Sequence, residues 1–370
     1  LDGDYPLPGA NTLHQNTMST DIDPFLVRRI AENCKIDAVI ILAYHETIQS
    51  LLHSPPQVPC FYWLSHKDRI TNYFGDFPLK EVKNIVPFGQ YGKNALSVSV
   101  DTQEPIQAPI FLSDYYPFPS LTRHKIRKDH DISDIFVVLY VGRCPYRKKL
   151  TTIAEGFSLF HKCFPDSMLW IHTDSPGPDG SAADCQQILA RSRSRYRLDE
   201  GLLAARPALN RLYNLADCLV AASSEESYNL PTLEFLATGG IPVVPDHSAY
   251  QEQVPFPEHR IPVRAGIHDT RCSTELAVTP RDLAEALGRA YVAWRAADAD
   301  VRLGRRRELE PHLARHRPDR IAAQWVNRVQ EALGPTGAGR KSAPPRSRRV
   351  LWVSGHPLGL GGGAVDTQSL

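Results

Sequence analysis

Residues 212–246, LYNLADCLVAASSEESYNLPTLEFLATGGIPVVPD, constrain what this chain can fold into more than any other stretch. Two short apolar runs within it, 216–222 (ADCLVAA) and 241–244 (IPVV), suit buried parallel strands, which are continuously apolar rather than alternating. A polar loop over 223–229 and then a helix separate the two runs. Pro231 can open that helix as its first residue, and Gly239 with Gly240 stops it. Glu226 stands on the loop and Glu234 in the helix. Strand, loop, helix and strand in this order predict an α/β protein. The loop of such a unit lies at the carboxyl ends of the strands, where open parallel sheets bind ligands.

The pattern E-x7-E formed by Glu226 and Glu234, with LYNLAD before it and ATGGIPVV after it, resembles the signature of the family 4 glycosyltransferases of group 1 type. The resemblance implies a GT-B fold: two Rossmann-like domains with parallel sheets and a cleft between them. It further implies a retaining hexosyltransferase that takes its sugar from a nucleotide diphosphate donor. Glu234 would then accept hydrogen bonds from the ribose, and Glu226 would face the donor sugar as a catalytic carboxylate. Backbone N–H groups of Ser227, Tyr228, Asn229 and Leu230 would reach the sugar or phosphate. Ser227 and Asn229 stand where the family has glycines, so the loop is stiffer or its sugar preference altered.

Upstream, 135–141 (IFVVLYV) is a second clear buried strand, and it runs into the basic turn GRCPYRKK. A helix follows from Leu150, with Ile153, Phe157, Phe160 and Phe164 at helical spacing. A strand, a basic turn and a helix N-terminus make an anion site, because unpaired N–H groups and the helix dipole favour negative charge there. Arg143 can grip phosphate oxygens through its planar fork, and Lys148 adds a point charge. The resemblance agrees, since Arg143 and Lys148 fall in register with the family's diphosphate-binding pair. Lys149 replaces the glycine usual after that lysine. A strand over 167–173 ends in His172, where the family has a glycine pair. The sequence predicts a helix over 181–196, a short strand over 200–205, and helices over 207–216, 280–294 and 321–333.

Before this domain, a helix over 23–35 precedes strands over 38–42 (AVIIL) and 59–64 (PCFYWL), with 47–52 read as helix. His45 and His66 follow the two strands. The resemblance puts a histidine such as His66 near the reacting sugar, and His45 is a weaker candidate. Further strands are expected over 96–100 and 109–112. Residues 114–134 mix prolines with charge and lack an apolar period, so they read as an interdomain linker. The expected organisation is therefore 1–113, an acceptor domain lacking its first strand, then the linker, then 135–333 as the nucleotide-sugar-binding domain.

Residues 334–349 (GPTGAGRKSAPPRSRR) form a flexible basic linker that cannot bury a core. Residues 350–370 then open with the apolar run VLWVS and a Gly-rich loop holding Gly361, Gly362 and Gly363. This resembles the start of a GT-B N-terminal domain. Two accounts fit: a second copy beginning at Val350 in a tandem protein, or a permuted first strand of the first domain. The first is preferred, because Leu1 and Leu370 read as arbitrary cuts.

With 370 residues, 42% of them hydrophobic, and a net charge of +1, the chain fills two ordinary domains and has no global basic bias. Nucleic acid is not an expected partner. Seven cysteines without a C-x-x-C pair read as reduced thiols of a cytoplasmic protein. No apolar run approaches the roughly 18 residues of a membrane span. The expected partners are a nucleotide sugar donor and an acceptor, whether saccharide, protein or small molecule, that no motif names. No metal and no cofactor are expected, since Arg143 and Lys148 can hold the charge of the leaving diphosphate themselves. A catalytically degenerate binding or scaffold module, or a GT-B nucleotide-sugar epimerase, are the alternatives.

Overall fold

Two parallel sheets carry the molecule, and the apolar runs supply their strands. The computed structural model describes residues 24–43, 55–64, 82–97, 101–173, 181–200, 205–267, 274–298, 300–334 and 349–354. Contacts divide the chain into two compact units. One takes in residues up to Pro109 and again from Arg315, the other Ile110–Ala314. No helix among the described residues is long and apolar enough to cross a membrane.

In the first unit, strands numbered in chain order are β1 (Ala38–Ala43), β2 (Cys60–Leu64), β3 (Ile85–Pro87) and β12 (Val350–Ser354), in the order β12-β1-β2-β3. All pairs are parallel. The run VLWVS thus lies beside β1, in register from Ala38 opposite Val350 to Leu42 opposite Ser354. Its entry is tied down by three bonds. The Asp37 N–H donates to the Arg349 carbonyl at 2.8 Å, the Arg349 N–H donates to Asp37 Oδ2 at 2.7 Å, and the Arg349 guanidinium donates to the Cys34 carbonyl at 2.9 Å.

Continuous apolar strands follow from burial on both faces. Val39, Ile41, Tyr62, Leu64 and Leu351 pack with Val27 and Ala31 of the helix Pro24–Asn33. On the alternate positions, Trp63 meets Trp325 of the helix Pro318–Leu333 at 5.4 Å between ring centroids and Trp352 at 5.6 Å, both edge-on. The sequence misjudged the stretch between. Leu96 ends a helix, Gly89–Leu96, instead of opening a strand. Residues 109–112 form no strand either, because Ile110 is buried in the core of the second unit without a ladder partner.

The second unit holds β4 (Phe136–Val141), β5 (Ser167–Thr173), β6 (Tyr196–Glu200), β7 (Cys218–Val220), β8 (Ile241–Pro245) and β9 (Arg260–Ile261). Their order is β6-β5-β4-β7-β8-β9, with every pair parallel. β6 comes earlier than the expected strand over 200–205, because the helix Ser181–Arg191 stops short and Arg193 turns the chain at φ +56°. One antiparallel pair, β10 (Arg264–Ile267) with β11 (Thr274–Ala277), was not foreseen.

The stretch read as an interdomain linker instead contains a helix, Ser120–Lys128, inside the second unit. It has no apolar stripe, and polar bonds hold it. The side chain of Asn214 accepts from the Phe118 N–H at 2.8 Å, and that of Asn210 from the Tyr116 N–H at 3.2 Å. Asp217, fully buried before β7, pairs with Arg123 and with Arg127 at 3.0 Å, while its other contact is the Val137 N–H at 2.9 Å. Hydrophobic periodicity cannot report a helix anchored in this way.

Burial by itself would raise the Asp217 pKa, but Arg127 and Arg123 outweigh it and hold the carboxyl below its ordinary range. Such a group adds stability above its unfolded value, about 3.9, and loses it as pH falls through the lower folded value. Asp217→Asn leaves the buried Arg127 and the half-buried Arg123 without their carboxylate, so it should cost about 3–5 kcal/mol at neutral pH. In urea titrations, the gap between the two proteins should be full at neutral pH and close as pH falls below about 4.

Candidate functional site

Parallel pairing of Val138 with Cys218 brings the carboxyl ends of β4 and β7 side by side. The turn after β4 and the loop after β7 therefore meet. After Gly142 the chain passes through a 3-10 turn, Tyr146–Lys148, and enters the helix Leu150–Cys163. Lys149 sits at the junction with φ +54° and ψ +43°, the left-handed region that a glycine occupies without strain. Its ammonium lies 3.9 Å from the centroid of the Tyr146 ring. The glycine that the family resemblance leads one to expect here has a backbone reason.

Glu226 is the centre of the meeting loops. It is buried, with 5% of its surface exposed, and it pairs with Lys148 and with Arg147 at 3.0 Å. The Ser223 hydroxyl donates to the same carboxylate oxygen at 2.9 Å. Backbone bonds fasten the loops around it: the Ser224 N–H donates to the Arg147 carbonyl at 2.9 Å, and the Ala249 N–H to the Glu226 carbonyl at 3.1 Å. Burial would raise the Glu226 pKa, but Lys148 and Arg147 outweigh it and keep the carboxyl below its usual range. The carboxylate is therefore ionised, and it occupies the lysine expected to meet phosphate.

Glu234 lies in the helix Leu230–Ala237 in a different environment. The Tyr213 hydroxyl donates to its Oε2 at 2.6 Å, and the Tyr115 hydroxyl is a second donor. Burial pushes this carboxyl up, while the two tyrosine hydroxyls and the charge of Arg206 pull it down in part. Among the described residues no cation lies in ion-pair contact with it. Two carboxylates of one motif thus carry opposite shifts.

The intervening loop departs from the sequence reading. Asn229 was expected to offer its N–H to a donor, but that N–H donates to Gln253 Oε1 at 3.2 Å. Its side chain caps the following helix, accepting from the Thr232 N–H at 3.1 Å. Helix capping explains an asparagine here. Ser227 is buried, and Tyr228 and Leu230 pack against the core of the unit. Arg143 is exposed on the turn after β4, and its carbonyl accepts from the Tyr140 hydroxyl at 2.5 Å. His45, His66, Gly361, Gly362 and Gly363 lie outside the described residues.

Several participants were missed by sequence reasoning. Arg147, Ser223, Tyr115 and Tyr213 have no motif of their own, although Arg147 sits in the basic turn and Tyr213 in LYNLAD. His172, at the end of β5, keeps its buried Nε2 without a partner among the described residues. Burial holds its imidazole below the ordinary value, against a smaller pull from Asp199, so the ring is neutral near pH 7.

No family model matches the chain, and no curated protein sequence does. Solved structures match well. HepE of Anabaena, crystallised with UDP and glucose, aligns over 82% of this chain and 82% of its own with a TM-score of 0.62 and 14% identity. A glycosyltransferase of Rickettsia africae aligns over 88% of this chain and 84% of its own, with a TM-score of 0.63 and 13% identity. The fold is that of the GT-B glycosyltransferases. Sucrose-phosphate synthase of Thermosynechococcus elongatus shares this GT-B fold over 83% of this chain and 76% of its own, with a TM-score of 0.61 and 16% identity. At such identities the likeness is one of fold.

The left-handed Lys149 predicts a gain. Lys149→Gly should raise the stability of the protein by up to about 1 kcal/mol, the relief of the left-handed penalty less the entropy of glycine. A denaturant midpoint shifted upward at unchanged slope would show it.

Proposed function

We propose that this chain is a retaining glycosyltransferase that moves a sugar from a nucleoside diphosphate to an acceptor hydroxyl without a metal. The observation that carries the reading is the joint of Glu226 with Lys148 and Arg147 at the carboxyl ends of β4 and β7. On this fold, it puts two cations and an ionised carboxylate where parallel sheets take ligands. Lys148 and Arg143, with the N–H groups that open the helix Leu150–Cys163, would hold the charge that builds on the departing diphosphate. Glu226 would exchange its cations for hydroxyls of the donor sugar as the diphosphate takes them over. Glu234, steadied by Tyr213 and Tyr115, would accept from the ribose, with His172 near the base. The solved complex of HepE with UDP and glucose supports a UDP-sugar as the first donor to try. The six described cysteines carry free thiols, which supports a reducing setting such as the cytoplasm.

The Lys148–Glu226 pair also favours a second reading, a binding module whose phosphate cation is permanently neutralised. Calorimetry separates the two. In the absence of metal, one nucleoside diphosphate or its sugar conjugate should bind, and Arg143→Ala and Lys148→Ala should each weaken it by about tenfold or more, 1.4 kcal/mol. Glu226→Gln should bind the bare diphosphate more tightly while losing sugar transfer. Retention is read from the anomeric configuration of the product by NMR. A folded chain that binds none of these nucleotides would sink the transferase reading.

A further inference from the structure

At the opposite end of the second unit's sheet from Glu226, a cavity of about 310 Å³ opens where β7 and β8 begin. Its volume sits at the lower end of the roughly 300–1,000 Å³ typical of small-ligand sites. Arg123, Arg295, Arg302 and Arg305 line it, against Asp217 and Asp298. The charges do not balance. Asp217 is already spent on Arg123 and Arg127, and Asp298 is exposed at the lip. Among the described residues, neither Arg302 nor Arg305 has a carboxylate within ion-pair distance.

These two guanidinia are held in place by carbonyl groups. Arg302, 8% exposed, donates to the carbonyls of Thr238 at 3.0 Å, Ala216 at 2.8 Å and Tyr213 at 3.2 Å. Arg305 donates one bond, to the Gly239 carbonyl at 2.7 Å. The carbonyl ends of the helices Arg206–Leu215 and Leu230–Ala237 offset part of the positive charge, as helix C-termini do. They supply no full negative charge. Burial accordingly depresses the proton affinity of both Arg302 and Arg305. Arg305 Nε and Nη2, and Arg123 Nη1, carry no hydrogen bond among the described residues, so donors remain for a ligand. The indole of Trp294 supplies an apolar wall.

The backbone around this cavity is built to close tolerances. Gly239 has φ +70°, and a Cβ there would stand 2.1 Å from the Arg302 carbonyl oxygen. The glycine is what lets the helix Val301–Glu308 bring Arg302 and Arg305 against the start of β8.

We propose that this cavity is a second anion site, binding a phosphate group either as the free ion or as a small phosphomonoester. Occupancy neutralises Arg302 and Arg305 and fastens the helix Val301–Glu308 to the β7 and β8 ends. The site is independent of the nucleotide reading, because none of its residues belongs to the loops around Glu226.

The test measures binding and thermal midpoint with inorganic phosphate and with glycerol 3-phosphate, at ionic strength fixed by chloride so that general screening is constant. Saturable binding with a raised midpoint is expected, unchanged in Lys148→Ala and weakened about tenfold or more in Arg305→Gln. Arg295→Gln, at an exposed position, keeps the test valid should Arg305→Gln fail to fold, and it should weaken binding too. Tighter binding of glycerol 3-phosphate identifies an ester as the ligand, and equal or weaker binding identifies the free ion. Absence of saturable binding by the folded wild-type chain, binding indifferent to both arginine substitutions, or binding lost in Lys148→Ala would each overturn the proposal.

Discussion

The second unit depends on one buried carboxylate. Asp217 is buried and receives Arg123, Arg127 and the Val137 N–H. A charge in that position is costly unless it is fully partnered, so the partners are not optional. Through Val137 it aligns the start of β4 with the start of β7, and through the two arginines it pulls the helix Ser120–Lys128 onto the sheet. The register set at that end determines which residues emerge at the other. Gly142–Lys149 and Ser223–Asn229 face one another because β4 and β7 are locked side by side.

What emerges there is an electrostatic division of labour. Glu226 lies among Lys148, Arg147 and Ser223 and stays ionised. Glu234 lies among tyrosine hydroxyls, where burial favours its protonated form. Residue type is identical and spacing is one motif, so environment alone separates the two. Where an anionic ligand binds, the first must give up its cations, whereas the second keeps its donors and has acceptor capacity to spare.

The sequence was legible wherever strands are buried on both faces. Continuous apolar runs at β1, β2, β4, β5 and β8 were found because parallel sheets demand them, and Gly239 marked the end of the helix Leu230–Ala237 through its left-handed backbone. It failed where polar bonds replace an apolar stripe. The helix Ser120–Lys128 reads as a linker because its anchors are Asp217 and Asn214, some ninety residues downstream in the chain. The helix Gly89–Leu96 was hidden by glycines, and the role of Asn229 as a cap was hidden by its place in a stretch that resembles a family signature.

By itself the sequence determined the layers of this protein, the two carboxylates and the basic turn, because local periodicity and turn chemistry are written in adjacent residues. Tertiary structure alone decided that Lys148 meets Glu226, that tyrosines rather than cations hold Glu234, and that β12 pairs with β1 although 306 residues lie between them in the chain. It also decided that arginines from three separate segments share one cavity. The physical reason is common to all of these. Charge pairing and strand adjacency act through space, and their energy depends on burial, which no stretch of sequence carries on its own.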